Sequence, residues 1–240
     1  MTTLAKTGTL HLIPVGLSEV EAQTWLPEAA QRQAGKLAHY IAENAKTARA
    51  FLKQMPLEGT LQSIDIQTLS ERTDDATLKT WLAPLLAGND IGLVSEAGCP
   101  AVADPGARAV AMAHQMGITV KPWVGPSSIL LGLMASGLNG QQFAFHGYAP
   151  VKPDDRKTQL RQWEQASLKQ SQTQILIETP YRNAAMFESL LQALSGQTRL
   201  CLARDMTGAR EWVKTLTVAQ WQKSATPDLA GLPTLFLFQA

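Results

Sequence analysis

Four short segments of this 240-residue chain are built from Gly, Pro, Ala and Ser with few long side chains: "PVGLSE" (14–19), "SEAGCPAVADPG" (95–106), "VGPSS" (124–128) and "ETPYR" (178–182). Loops without bulk let a ligand lie against the main chain, whose N–H groups can meet a carboxylate and whose C=O groups can meet a cation or an adenine amine. Each segment alone also suits an ordinary tight turn; it is the set of four that points to a ligand site. Pro105-Gly106 suits a type II turn, with Pro at the second position and Gly at the third. Ser127 is placed to cap the helical pattern that follows it and to favour an anion there. Arg182 and Arg204 directly follow strand patterns, where they can meet an anion or pair with Glu178 or Asp205. Cys99 has neither a base nor a cation beside it, so it reads as a small lining residue and not as a nucleophile.

These segments need a frame that brings them to one edge, and the chain supplies a strand–helix alternation. In the first half, "TLHLIPVG" (9–16), "KLAHYIAEN" (36–44), "LQSIDIQTLS" (61–70), "DIGLVSE" (90–96) and "ITVKPW" (118–123) read as strands. Between them, 45–55, 74–88 and 106–117 carry helical spacing, with Asp74 as an N-cap and Gly88 and Gly117 as stops. Such alternation predicts a parallel α/β sheet, in which ligands bind beyond the carboxyl ends of the strands. After "VGPSS" come helices at 128–139, 152–167 and 181–196. Strands are expected at 143–150, 173–180, 198–206 and 233–240, and 211–224 reads as a strand plus a short helix. The expected architecture is two α/β domains, 1–122 and 123–240, with a cleft between them.

Bulk properties exclude several classes. The net charge is +1, so nucleic-acid contact would have to come from a local patch. No apolar run approaches the ~18–20 residues of a membrane span, and the first 16 residues read as a strand and not as a signal peptide. Cys99 and Cys201 match no metal spacing and suit a reduced, cytoplasmic protein. His11, His39, His114 and His146 show no metal-ligand pattern either. Dinucleotide, Walker and Gly-x-Ser-x-Gly motifs are absent, and Ser95 and Ser127 have no recognisable His–acid partners for hydrolysis. Lys152, Arg156, Lys157 and Arg161 alternate with Asp154 and Asp155, as a solvated helix face does. Trp25, Trp81, Trp163 and Trp221 lie in helical patterns and read as packing residues.

The stretch "LVSEAGCPAVADPG" (93–106) resembles the Leu-Val-Ser-Asp-Ala-Gly-Thr-Pro-x-x-x-Asp-Pro-Gly segment of the tetrapyrrole methylase superfamily. It is most similar to the branch that methylates a cytidine ribose of bacterial small-subunit ribosomal RNA at the 2′-oxygen. The likeness continues through "GPSS" (125–128), "ASGL" (135–138), "GYAPVK" (147–152), "IETPYR" (177–182) and "ARDMT" (203–207), in the family's order.

That resemblance implies a homodimer of two-domain chains with S-adenosyl-L-methionine in the inter-domain cleft, no metal, and ribosomal RNA or the small subunit as substrate. By position it implies cofactor contacts at Leu17, Glu96, Cys99, Val102, Ser127 and Ser128 in the first three loops. Glu178, Thr179, Ala203 and Pro233 supply those of the second domain. Glu43 falls where the family has Ala-Glu-Asp-Thr-Arg and offers a carboxylate on the acceptor side, with Arg182 the second catalytic candidate. The chain departs from the branch where its first loop lacks a Gly-Asn pair, where Glu96 replaces Asp and Cys99 replaces Thr, and where it closes on a strand at Ala240 with no C-terminal extension. Three readings stay open on these departures: methylation of RNA, methylation of a small molecule such as a tetrapyrrole precursor, and a non-catalytic binder of the same cofactor.

Overall fold

A computed structural model describes residues 7–240, which divide into two compact units between Ser127 and Ser128. The first unit is a five-stranded sheet in the order β3-β2-β4-β1-β5. Its strands are β1 (Thr9–Leu12), β2 (His39–Ala42), β3 (Asp65–Thr68), β4 (Ile91–Val94) and β5 (Thr119–Pro122), and every pairing is parallel. β4 is buried at all four positions, as a strand with helices on both faces must be. Alternation sends Leu10, Ile41, Ile91 and Leu93 to one core and Ile13, Tyr40, Ala42 and Val94 to the other.

The connecting helices are α1 (Glu28–Lys36), α2 (Ala45–Leu52), α3 (Asp75–Leu86) and α4 (Gly106–Gln115). α3 begins where Asp74 accepts a hydrogen bond from the Thr77 N–H at 2.7 Å, and it ends before Gly88, whose φ is +88°. The spacing gave no sign of α1. Its buried positions are Ala30, Ala34 and Gly35, so it packs closely without presenting any large apolar residue. The second strand consequently starts at His39, three residues later than its apolar pattern suggests.

The second unit contains α5 (Ser128–Ser136), β6 (Phe143–Tyr148), α6 (Pro153–Gln170), β7 (Thr173–Glu178), α7 (Asn183–Ala193), β8 (Arg199–Arg204), β9 (Trp212–Thr217), α8 (Val218–Trp221) and β10 (Thr234–Gln239). Its sheet runs β6-β7-β10-β8-β9, with β6 and β7 parallel and the other pairs antiparallel. Leu176, Leu202, Phe236 and Phe238 face α6 and α7, where they meet Leu160, Met186, Phe187 and Leu190. α5 covers the opposite face, and a Cβ on Gly132 would lie 2.5 Å from Leu235 and 3.4 Å from Ala203. Trp163 stacks on His146 at 4.1 Å, and Trp221 is buried with its indole N–H donating to the Leu200 carbonyl at 2.8 Å. Both tryptophans are packing residues. No helix among the described residues is long and apolar enough to cross a membrane.

Candidate functional site

In the first unit the carboxyl ends of β4, β1 and β5 lie side by side, and the loops that leave them are joined. Val15 and Gly98 form an antiparallel bridge, with N–H to C=O distances of 3.0 and 3.2 Å. Gly98 takes φ +74° to make it, and a Cβ there would stand 3.2 Å from Leu17. The Cys99 thiol donates to the Pro126 carbonyl at 3.5 Å, and Pro14 lies against Gly125. Three segments far apart in sequence thus form one continuous backbone surface. Leu17, Cys99 and Ser127 are half-buried on it, and Val102 is exposed. Ser127 directly precedes α5.

The 99–106 segment departs from the expected turn. Pro105 has φ −69° and ψ −10°, and Gly106 is the first residue of α4, so Pro105-Gly106 is not a type II turn. The chain winds straight into the helix, and the left-handed conformations fall earlier, on Ala101 (φ +66°) and Ala103 (φ +61°). Each is a residue with a Cβ, for which that region costs roughly 1–2 kcal/mol. Asp104 offsets this: its carboxylate accepts from the Ala101 N–H at 2.9 and 3.0 Å and from the Gly106 N–H at 2.6 Å. Asp104 was legible only as part of a turn, although Asp two residues before an N–H that needs a partner is a known signal.

β2 is the other neighbour of β4, and the register Ala42↔Val94 brings their following residues together. Glu43 Oε2 accepts the Glu96 N–H at 3.2 Å, and the Asn44 amide donates to Glu96 Oε1 at 3.0 Å while capping α2 through the Lys46 N–H. Asn44 was not anticipated, because nothing local in the sequence puts β2 beside β4. Ala42, Glu43, Leu93, Val94, Asp104 and Pro105 line a small pocket at this edge. Burial pushes the Glu43 carboxyl above the ordinary glutamate range, and the negative neighbours Glu96 and Asp104 push the same way. Burial likewise raises Asp104 and the Cys99 thiol. Cys99 is therefore held as a neutral thiol, a poor nucleophile.

The Glu43 shift makes a stability prediction. Folded Glu43 holds its proton more tightly than unfolded Glu43, so stability falls as pH rises from the ordinary glutamate range through the raised value, and the loss is complete above it. Glu43→Gln removes the titration and leaves an acceptor for the Glu96 N–H. The variant is expected to be more stable than the wild type at about pH 8 and to lose that margin by about pH 4. Urea unfolding of both proteins at the two pH values checks this; a margin that stays constant with pH would contradict it.

In the second unit Glu178, Thr234 and Arg204 lie in one row across β7, β10 and β8. Glu178 Oε2 accepts from the Thr179 N–H at 2.6 Å and from Arg182 Nε at 2.9 Å, with a second guanidinium nitrogen at 2.8 Å. Arg182 thus pairs with Glu178, one of the two readings its position left open. Arg204 instead donates to the Asp228 carbonyl and lies over Trp212, while Asp205 accepts from the Arg210 N–H at 2.8 Å. Ala203 is buried beneath α5, on the sheet face opposite Glu178. The Pro233 carbonyl accepts from the Asp205 N–H at 2.9 Å. Ser128 begins α5. No group of three or more His, Cys, Asp or Glu side chains suited to a metal occurs among the described residues.

Comparison with known proteins gives this arrangement its relatives. Ribosomal RNA small subunit methyltransferase I of Vibrio cholerae is 33% identical over 152 residues, 63% of this chain and 51% of that one. The protein of the same name from Xylella fastidiosa is 28% identical over 221 residues, 92% of this chain and 77% of the other. This chain therefore spans about half the length of the first of them. Two solved structures share the fold: the methyltransferase CobJ, with a TM-score of 0.62 at 14% identity, covering 97% of this chain and 93% of that one. The native uroporphyrin III C-methyl transferase of Thermus thermophilus has a TM-score of 0.58 at 16% identity and covers 97% of each chain. The model of the tetrapyrrole (corrin/porphyrin) methylases matches residues 9–222, so the chain with these joined strand-end loops belongs to that family.

Proposed function

We propose that this protein is an S-adenosyl-L-methionine-dependent methyltransferase that acts on small-subunit ribosomal RNA at a ribose 2′-oxygen, working in the cytoplasm as a homodimer. The observation that carries the reading is the joined backbone surface of residues 14–17, 98–103 and 125–127, found in a member of a methylase family. The relatives named as ribosomal RNA methyltransferases support RNA over a small molecule as acceptor.

The residues present suit such a cofactor. The surface offers main-chain polar groups framed by Leu17, Cys99 and Val102, without a charged side chain in the 97–103 segment. When bound, S-adenosylmethionine supplies a methyl group on an electrophilic sulfonium. The protein's task is then to orient the acceptor and keep water away, both of which contribute to the rate of such a displacement. Cys99, kept as a thiol by burial, offers no thiolate to compete for the methyl group. A hydroxyl acceptor must lose a proton, and Glu43 is the carboxylate suited to take it: Oε2 is held by the Glu96 N–H, and the raised proton affinity improves it as a base.

Isothermal titration of the folded protein with S-adenosylmethionine and S-adenosylhomocysteine is expected to show binding of both. Labelled methyl is expected to pass to the RNA of small subunits from a strain lacking this modification. Absence of binding by either ligand overturns the cofactor reading, and binding without RNA labelling overturns the acceptor.

A further inference from the structure

We propose that Asp104 is a positioning residue that holds the 99–103 backbone in its ligand-facing shape without touching the ligand itself. The proposal rests on the cofactor reading above. Asp104 closes a short circuit: both of its oxygens accept from the Ala101 N–H, and Oδ1 also accepts from Gly106 N–H at the start of α4. The carboxylate therefore ties the loop to the first turn of a helix that is itself packed through Ala109 and Ala113, both fully buried.

Between those anchors the chain makes two conformations that alanine disfavours, at Ala101 and Ala103, with exposed Val102 between them. Nothing intrinsic to these residues selects that path, so an external tie must. Gly106 leaves the space for it, since a Cβ there would lie 2.8 Å from Asp104 Oδ1 and 3.2 Å from the Ala101 nitrogen. Asp104 also forms part of the pocket wall that Glu43 faces, which joins the loop to the carboxylate assigned as proton acceptor.

The test pairs removal of the tie with relief of the conformations it maintains. Asp104→Ala is expected to weaken S-adenosylhomocysteine binding by more than about tenfold, as the loss of charge-assisted hydrogen bonds implies. Asp104→Asn, which keeps one acceptor oxygen, is expected to lose less. Adding Ala101→Gly and Ala103→Gly to Asp104→Asn is expected to recover part of the affinity, because glycine takes positive φ freely. A residue needed only for folding would instead show its loss in the melting temperature, with the affinity of the folded protein unchanged in Asp104→Asn. Amide hydrogen exchange in the ligand-free protein is expected to quicken at Ala101 and Gly106 in Asp104→Asn and to stay unchanged across β4. Wild-type binding with unchanged affinity in Asp104→Ala overturns the role of Asp104 alone. Failure of the wild type to bind overturns the cofactor reading beneath it, and unchanged exchange at Ala101 and Gly106 refutes the tie whatever the ligand result.

Discussion

Gly125→Ala is expected to weaken S-adenosylhomocysteine binding by at least about tenfold and to lower the stability of the first unit by ~1–3 kcal/mol, the range for overpacking a well-filled site. A Cβ at this position would stand 2.3 Å from Pro14 Cβ and 2.6 Å from its Cγ. The obstacle is a proline ring, which cannot swing aside as a long side chain does. Nor can Pro14 retreat easily, because the next residue, Val15, is held to Gly98 by two backbone hydrogen bonds. The loops after β1 and β5 must then separate, and the Cys99–Pro126 contact lies in the same seam. Backbone strain does not contribute, since Gly125 is not among the glycines with positive φ. Gly140→Ala is the matched control, with nothing within 4 Å of the added carbon and no positive φ; it is expected to change stability by less than about 0.5 kcal/mol. Calorimetric titration and thermal unfolding of both variants read the difference, and equal behaviour would mean that the seam tolerates opening.

Much of this frame was legible because it follows from local rules. The fully apolar run Ile91–Val94 ends at Ser95, and the small residues after it did mark a strand-end loop joined to two others. Asp74 and Gly88 bound α3 by capping chemistry that needs no tertiary context. What escaped was set by packing over distance. α1 buries only Ala and Gly, so its hydrophobic period is too shallow to register, yet a Cβ on Gly35 would meet the Pro56 carbonyl at 2.1 Å. The Pro105-Gly106 dipeptide fits two local conformations, and the Asp104 carboxylate selects the helical one. The meeting of Glu43, Asn44 and Glu96 depends on β2 lying beside β4, although β3 stands between them in sequence. Strand order is a property of the whole sheet, and no spacing within either segment encodes it.

Arg182→Met is expected to destabilise the second unit by about 3 kcal/mol, the lower end of the range for leaving a buried charge without its partner. The Glu178 side chain is 1% exposed and that of Arg182 27%, so this pair lies outside the surface regime in which ion pairs contribute little. The lower end applies because Glu178 Oε2 keeps the Thr179 N–H at 2.6 Å and the Thr179 hydroxyl at 3.2 Å after the guanidinium is gone. Removing the charge from both sides tests the cause. Glu178→Gln combined with Arg182→Met is expected to regain most of the loss, giving a coupling energy that neither single variant shows alone. A loss below about 1 kcal/mol for Arg182→Met would place the pair among surface bridges instead. The double variant also separates the two roles open to Arg182. If it is as stable as the wild type and binds S-adenosylhomocysteine equally well, the guanidinium serves Glu178. If it is stable but binds weakly, a member of the pair also serves the ligand, and Glu178→Gln alone, which keeps the guanidinium, then tells Arg182 from Glu178 as the residue responsible.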